Sequence, residues 1–196
     1  MITRKLGEVA SIVRCQLGRS REGVSGLACR EITLAETDDL TGFVMPGTGE
    51  IVWMDLDPGG RQRKYLVVPG DIVLAYRGTS GTLAKVGLVL ETDGPAVAGQ
   101  SLAVIRPVAV DGVWIFYWLA RPVVRERLLA QAVGGRLRTL NLSIVRDLVF
   151  PVPTTEEVAA VHARHAEAVS LAGRIRTARA ALLEVLGGME GLWSDE

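Results

Sequence analysis

Residues 68–107 read VPGDIVLAYRGTSGTLAKVGLVLETDGPAVAGQSLAVIRP. The pattern divides into strand, glycine-rich turn, strand, loop and strand. Pro69-Gly70-Asp71 is turn chemistry. Ile72 to Tyr76 is a short apolar run of β-formers and reads as a strand. Arg77-Gly78-Thr79-Ser80-Gly81-Thr82 is a polar loop with two glycines. Val86 to Leu90 and Gln100 to Ile105 are two further apolar runs. A loop of glycine and small hydroxyl residues, flanked by Arg77 and Lys85, suits contact with phosphate or base edges. An ordinary hairpin turn has the same composition, so the loop does not decide function alone.

Working outward, composition bounds the rest. The chain has 196 residues, 48% of them hydrophobic, enough for one domain of ordinary size with a sizeable core, or one domain plus a long appendage. Its 22 basic and 22 acidic residues cancel, so bulk charge does not mark a nucleic-acid binder. Nineteen of the basic residues are arginine and three are lysine (Lys5, Lys64 and Lys85). Arginine suits bidentate contacts to phosphate or guanine, and a GC-rich genome gives the same bias. Cys15 and Cys29 have no CxxC spacing and no histidine nearby, which does not supply the about four ligands of a structural zinc. The N-terminus lacks the apolar core of a signal peptide. No apolar run reaches the ~18 residues of a membrane span. The expectation is a cytoplasmic protein with reduced cysteines, no cofactor and no membrane partner.

Upstream of the central stretch, residues 3–14 carry Leu6, Val9, Ile12 and Val13 at helix-like spacing, although 9–13 also suits a strand. Residues 15–30 read as a polar connector or mobile arm. Strands are expected at Glu31–Leu34 and Glu50–Met54, with an irregular stretch from Thr37 to Pro46 between them. Asp57-Pro58-Gly59-Gly60 is a turn. The densest basic cluster follows, Arg61, Arg63 and Lys64 beside Tyr65. It reads equally as a phosphate-contacting edge or a solvated turn.

Downstream, Val113–Ala120 (VWIFYWLA) is either a buried strand or the first turns of a helix. Pro122 opens a helix with Val124, Leu128, Leu129 and Ala132 on one face, ended by Gly134-Gly135. Arg136, Arg138 and Asn141 follow, side chains of the kind that read base edges or phosphate, in a segment that also reads as a connector. After Pro151-Val152-Pro153, Thr154 and Glu157 have capping-box spacing. The helix they start runs to about Leu186, which is ~31 residues or ~46 Å. Val158, Val161, His165, Ala168, Ala172, Ile175, Ala178, Leu182 and Val185 recur at spacings of three and four, the seam of a coiled coil. Such a stripe is expected to pack on another long helix. His162 and His165 are expected as surface and seam residues. The domain plan is therefore 1–153, a β-rich domain; 154–188, a long helix; and 189–196, a frayed tail.

Catalytic constellations do not emerge. There is no GxGxxG fingerprint, no Walker loop and no GxSxG elbow. The Asn/Asp-Pro-Pro-Tyr/Phe pattern of adenine methyltransferases is missing. Asp55 and Asp57 lack the Glu-x-Lys partner of metal-dependent nucleases and read as turn residues.

The ordered pieces carry a resemblance. LGEVASI (6–12), PGDIVLAYRGTSGTLAKVGLV (69–89), AGQSLAVIRP (98–107), a helix ended by Gly134-Gly135, Leu140-Asn141-Leu142, and DLVFPVPTTEEVAAV (147–161) before a long helix resemble one half of the specificity subunit of type I restriction–modification systems. The resemblance spans about Leu6 to Leu186. It implies an α+β chain: a target recognition domain with short helices, then a helix that pairs as an antiparallel coiled coil. It implies a non-catalytic DNA-recognition subunit that reads a half-site on double-stranded DNA and recruits a DNA methyltransferase subunit, and through it a restriction subunit. Family members carry two recognition domains and two long helices. This chain has one of each, so it would pair with a copy of itself or with another half-subunit. After the proline pair the family usually has Glu-Gln, where this chain has Glu156-Glu157.

On this reading the DNA contacts are Arg77, Thr79, Ser80 and Lys85 from the loop, Arg61, Arg63 and Lys64 from the basic turn, and Arg136, Arg138 and Asn141 after the helix. The seam to the partner helix is Val158, Val161, His165, Ala168, Ala172, Ile175 and Leu182. The alternative is a coiled-coil scaffold protein with no DNA binding of its own. A third reading, an enzyme such as a nuclease using Asp55, has no visible carboxylate or nucleophile cluster to support it.

Overall fold

The structure, a computed structural model, describes residues 2–16, 18–20, 26–45, 49–57 and 59–190, with side chains through 187. The chain is α+β and consists of two compact units, Met1–Val158 and Ala159–Glu196.

The first unit begins with β1 (Thr3–Lys5), a single turn α1 (Leu6–Val9) and β2 (Ala10–Arg14). The leading element, open between helix and strand from sequence, is one after the other. Leu6 and Val9 are buried at i,i+3 spacing, and burial then alternates through Ala10 and Ile12 at the period of a strand. Strand β3 (Leu27–Ile32) lies earlier than the expected Glu31–Leu34, and it takes residues expected in the connector. The physical reason is a cap at Thr33. The backbone N–H of Thr33 donates to Glu36 Oε2 (2.6 Å), and Thr33 Oγ1 accepts from the Ala35 N–H (3.1 Å). This turns 34–36 into a 3-10 helix. The expected connector over 17 and 21–25, the Pro46 end of the irregular stretch, Pro58 of the turn and the tail from 191 lie outside the described residues.

Next come β4 (Phe43–Val44), β5 (Ile51–Met54), β6 (Ile72–Ala75), β7 (Arg77–Gly78), β8 (Val86–Val89), β9 (Ala96–Ala98) and β10 (Leu102–Pro107). The stretch VWIFYWLA is helix α2 (Gly112–Leu119), because Asp111 caps it by accepting from the Trp114 N–H at 3.0 Å. Helix α3 (Pro122–Ala130) stops short of the expected Gly134-Gly135. Val133–Gly134 is instead β11, paired with β12 (Arg138–Thr139). Helix α4 (Leu142–Arg146) and β13 (Val149–Pro151) complete the unit before helix α5 (Thr155–Glu190).

The main sheet has the order β2-β10-β6-β8-β4, antiparallel except for the β4–β8 pair. Its centre is the stretch 68–107: β6 is buried at all four positions and lies between β10 and β8. A strand covered on both faces has no reason to alternate. Each fully buried aliphatic here contributes about 1.5–3 kcal/mol. A second sheet, β5-β3-β9, packs its own cluster around Cys29, Val52, Met54, Leu56 and Val97. Burial raises the Cys29 thiol pKa, and the nearby Cys15 adds to it.

Thr154 and Glu157 form the capping box expected from sequence. The Thr154 N–H donates to Glu157 Oε2 (2.8 Å) and the Glu157 N–H donates to Thr154 Oγ1 (3.2 Å). Glutamate at this place closes the box as glutamine does, so the departure from Glu-Gln leaves the helix start intact. Helix α5 runs beyond the expected Leu186 to Glu190, through Gly187 and Gly188, so the start of the expected tail is helical. On it, Val158, Val161, His165, Ala168 and Ala172 are half-buried. Further along, Ile175 (53%), Leu182 (58%) and Val185 (57%) are exposed. No described helix is long and apolar enough to cross a membrane.

Candidate nucleic-acid interface

The loop after β6 is a hairpin connection, because β6 and β8 pair antiparallel with Ile72 opposite Leu88. Its tip is closed by its own backbone: the Thr82 and Leu83 N–H groups both donate to the Thr79 carbonyl (3.1 and 2.8 Å). Thr82 Oγ1 accepts from the Thr79 N–H at 3.0 Å. It also lies against Gly78, where any Cβ would collide with it. A side chain at 78 would push the Thr82 hydroxyl out of this turn.

Residues 77–78 and 138–139, more than fifty positions apart, meet as neighbouring strands. β7 pairs with β12, Thr139 opposite Arg77 and Arg138 opposite Gly78, and β11 completes a three-stranded edge. The Leu140 N–H donates to the Tyr76 carbonyl (2.8 Å) and extends the join. The tip of the β11–β12 hairpin needs Gly134, whose φ is +118° and whose Cβ would stand 2.5 Å from the Leu137 carbonyl oxygen.

Two clefts open beside this edge. One, of about 570 Å³, is lined by Arg14, Lys64, Tyr65, Asn141 and Arg146 among others. The second, of about 290 Å³, is lined by Arg19, Glu31, Arg77 and Gln100. Arg14, Gln16 and Tyr76 line both, so the two clefts adjoin across these residues and together are the furrow. Among the described lining residues Glu31 is the only carboxylate, and Arg19 pairs with it at 2.7 Å. Arg14, Lys64, Arg77 and Arg146 are exposed. A concave surface with an excess of positive charge focuses potential and raises the local concentration of a polyanion. Tyr65 lies under the Lys64 ammonium, 5.0 Å from ring centre, which orients that cation at the rim.

The structure thus brings Lys64, Arg77 and Asn141, one residue from each expected segment, to one furrow. Arg61 and Arg63 are exposed on the same 3-10 turn (Arg61–Tyr65) but do not line it. Thr79 and Ser80 are exposed at the loop tip, outside the furrow, and the Thr79 hydroxyl lies 3.2 Å from that of Thr82. Arg136 is exposed on the β11–β12 hairpin. Asn141 caps α4, its Oδ1 accepting from the Ser143 N–H at 3.0 Å.

Two expected contacts have other partners. Lys85 pairs with Asp39 at 2.9 Å, at a separate cleft of about 290 Å³ that also carries Asp38 and Arg125. Arg138 donates to the Leu129 and Ala132 carbonyls (2.9 and 2.8 Å), which fixes the end of α3 rather than facing solvent.

Sequence reasoning missed Arg14, Arg146 and Tyr76 as furrow residues. Arg14 ends β2 and Arg146 ends α4, and no local pattern links them. Asp57 accepts from the Gly59 N–H (2.9 Å), so it is a turn residue. Among the described residues, no group of three or more His, Cys, Asp or Glu is placed to hold a metal ion.

No protein-family model matches the sequence. No curated protein sequence matches it either. Solved structures do match in fold. The HsdS subunit from Thermoanaerobacter tengcongensis superposes with a TM-score of 0.54 over 90% of this chain, at 18% identity. The chain has the fold of a type I specificity subunit. A chain from a structure of the assembly and conformational transition of the type I R-M system gives a TM-score of 0.57 over 96% of this chain, again at 18% identity. The type I S subunit from M. genitalium gives 0.53 over 94%, at 18% identity. This chain covers only 39–43% of each of them, so it spans about two fifths of a specificity-subunit chain.

Proposed function

We propose that this chain is a non-catalytic DNA-recognition module, a half-size specificity subunit that reads a half-site on duplex DNA and recruits a DNA methyltransferase. The observation that carries the reading is the convergence of Arg14, Lys64, Arg77 and Arg146 on one furrow of a specificity-subunit fold. Four elements of the fold, distant in sequence, supply these cations: the ends of β2 and α4, the 3-10 turn and β7. Phosphate contacts fix register, and side chains such as Asn141 and Gln16 have the donors and acceptors to read base edges.

The module is one recognition domain with one long helix, and the exposed apolar positions of α5 support pairing with a second helix. The partner is another copy of this chain or another half-subunit. A two-fold pair presents two identical furrows and suits a palindromic bipartite site.

The test is a mobility shift at low salt on a pool of random-sequence duplexes, with the protein alone and with its cognate methyltransferase subunit. A shift that selects a subset of sequences is the expected result. No shift in either setting leaves the scaffold reading in its place.

The helix has its own test. Val161→Glu combined with Ile175→Glu places two charges on the seam and is expected to convert a dimer to monomer in a sizing column. An unchanged elution volume excludes the seam as the assembly surface. A monomer that keeps DNA binding separates recognition from assembly.

A further inference from the structure

Arg125 reaches from α3 to the loop at 79–83. Its guanidinium donates to three carbonyls there: Ser80 (3.2 Å), Gly81 (3.0 Å) and Leu83 (through Nε at 3.4 Å and Nη2 at 3.3 Å). Arg138 closes the other side. It belongs to β12, opposite Gly78 of β7, and its guanidinium holds the Leu129 and Ala132 carbonyls at the end of the same helix. The connections form a closed circuit: loop to α3 through Arg125, α3 to β12 through Arg138, and β12 back to β7 by strand pairing.

We propose that Arg125 and Arg138 are positioning residues that clamp α3 between the loop 79–83 and the β11–β12 hairpin, so that Arg77 is presented to DNA in a fixed register. The proposal rests on the DNA-recognition reading above and deepens it. Arginine suits the role, because its planar fork binds several carbonyls at once with little further ordering. Arg77 lies between the two clamped points, on a strand only two residues long that has few bonds of its own. Without the clamps the edge would sample many orientations, and binding would bear the cost of ordering it.

The experiment is a double-mutant cycle with Arg125→Ala and Arg77→Ala, read by duplex binding at two salt concentrations, together with amide hydrogen exchange on the free protein. Arg125 is partly exposed and the Ser80 and Gly81 carbonyls can take water in its place, so the variant is expected to fold. Arg125→Ala should raise exchange at Thr82, Leu83 and Ala84 while leaving the β6–β10 amides unchanged. It should weaken binding about tenfold in the wild-type background and less than about twofold when Arg77 is already alanine, the mark of coupled sites. Its salt slope should stay that of the wild type, because no phosphate contact is removed. Arg125→Lys should recover part of both effects.

Unchanged exchange overturns the clamp whether or not DNA binds. Additive losses overturn the link between clamp and Arg77. An Arg77→Ala variant that binds as wild type does overturns the DNA reading of this edge, and with it the presentation role, even where the exchange result shows a clamp.

Discussion

Arg106→Ala is expected to destabilise the first unit by about 3–5 kcal/mol, the loss found when one partner of a buried ion pair is removed. Asp71 is 1% exposed and sits at the entry to β6. Arg106 Nε donates to its Oδ1 at 2.8 Å and Arg106 Nη2 to its Oδ2 at 2.6 Å, a two-point pair. The same guanidinium donates to the Leu66 carbonyl at 2.6 Å. Hydrogen bonding to Asp71, opposed in part by burial, raises the Arg106 pKa above its ordinary value. Alanine at 106 leaves the carboxylate in the interior with, among the described residues, only the Val68 N–H to satisfy it.

Denaturant unfolding checks this as a fall in midpoint with an unchanged slope. The double variant Arg106→Met with Asp71→Leu removes both charges and should recover most of the loss, since an apolar pair of similar volume is often as stable as the ions it replaces. About 1 kcal/mol should remain lost, because the Val68 N–H loses its acceptor. A loss below about 1 kcal/mol for Arg106→Ala would mean that water solvates Asp71 after all.

The triple variant Arg14→Ala, Lys64→Ala, Arg77→Ala should remove most of the salt-dependent part of DNA binding. Each phosphate contact contributes about 0.9 to the log–log slope of affinity against salt, so the slope should flatten by about 2.7. Arg146 is left in place because its Nη2 donates to the Ile12 carbonyl at 2.8 Å and supports β2. The three chosen side chains are exposed, and the fold should melt as the wild type does. Filter-binding titrations across a salt series measure the slope. A matched triple, Arg61→Ala, Arg63→Ala and Lys5→Ala, removes the same number of charges outside the furrow and should change the slope little. Equal slopes for the two triples would show that charge alone, and not the furrow, attracts DNA.

Much of the architecture was legible. The buried strands Ile72–Ala75 and Val86–Val89, and β10 from Leu102 to Ile105, show in sequence as apolar runs, because both of their faces are largely covered. The capping box at Thr154 and Glu157 is local and was readable for that reason. Boundaries went astray where a side chain competes with the main-chain pattern. Thr33 ends a strand that β-propensity alone would continue, and Asp111 starts a helix in a stretch equally suited to a strand.

The site was legible only as fragments. Residues 61–64, 77–85 and 136–141 each carry side chains suited to contact with nucleic acid, and each has an ordinary explanation as turn or connector. Long-range pairing then sorted them. Strands β7 and β12 join two of the fragments, while Arg138 turns inward and Lys85 turns to Asp39. Arginine gives no sign in sequence of whether it will meet a phosphate, a carboxylate or a carbonyl, because it is a good donor to all three.

For the stretch 68–107, the sequence by itself determined that it forms the buried strands of a β-rich domain, since apolar periodicity is a local property set by burial. That its loop is held by Arg125, that Asp71 is neutralised by Arg106, and that Arg77 shares a furrow with Arg14, Lys64 and Arg146 was decided only by the tertiary structure. Those contacts join residues tens of positions apart, and the choice of partner depends on which strands pair.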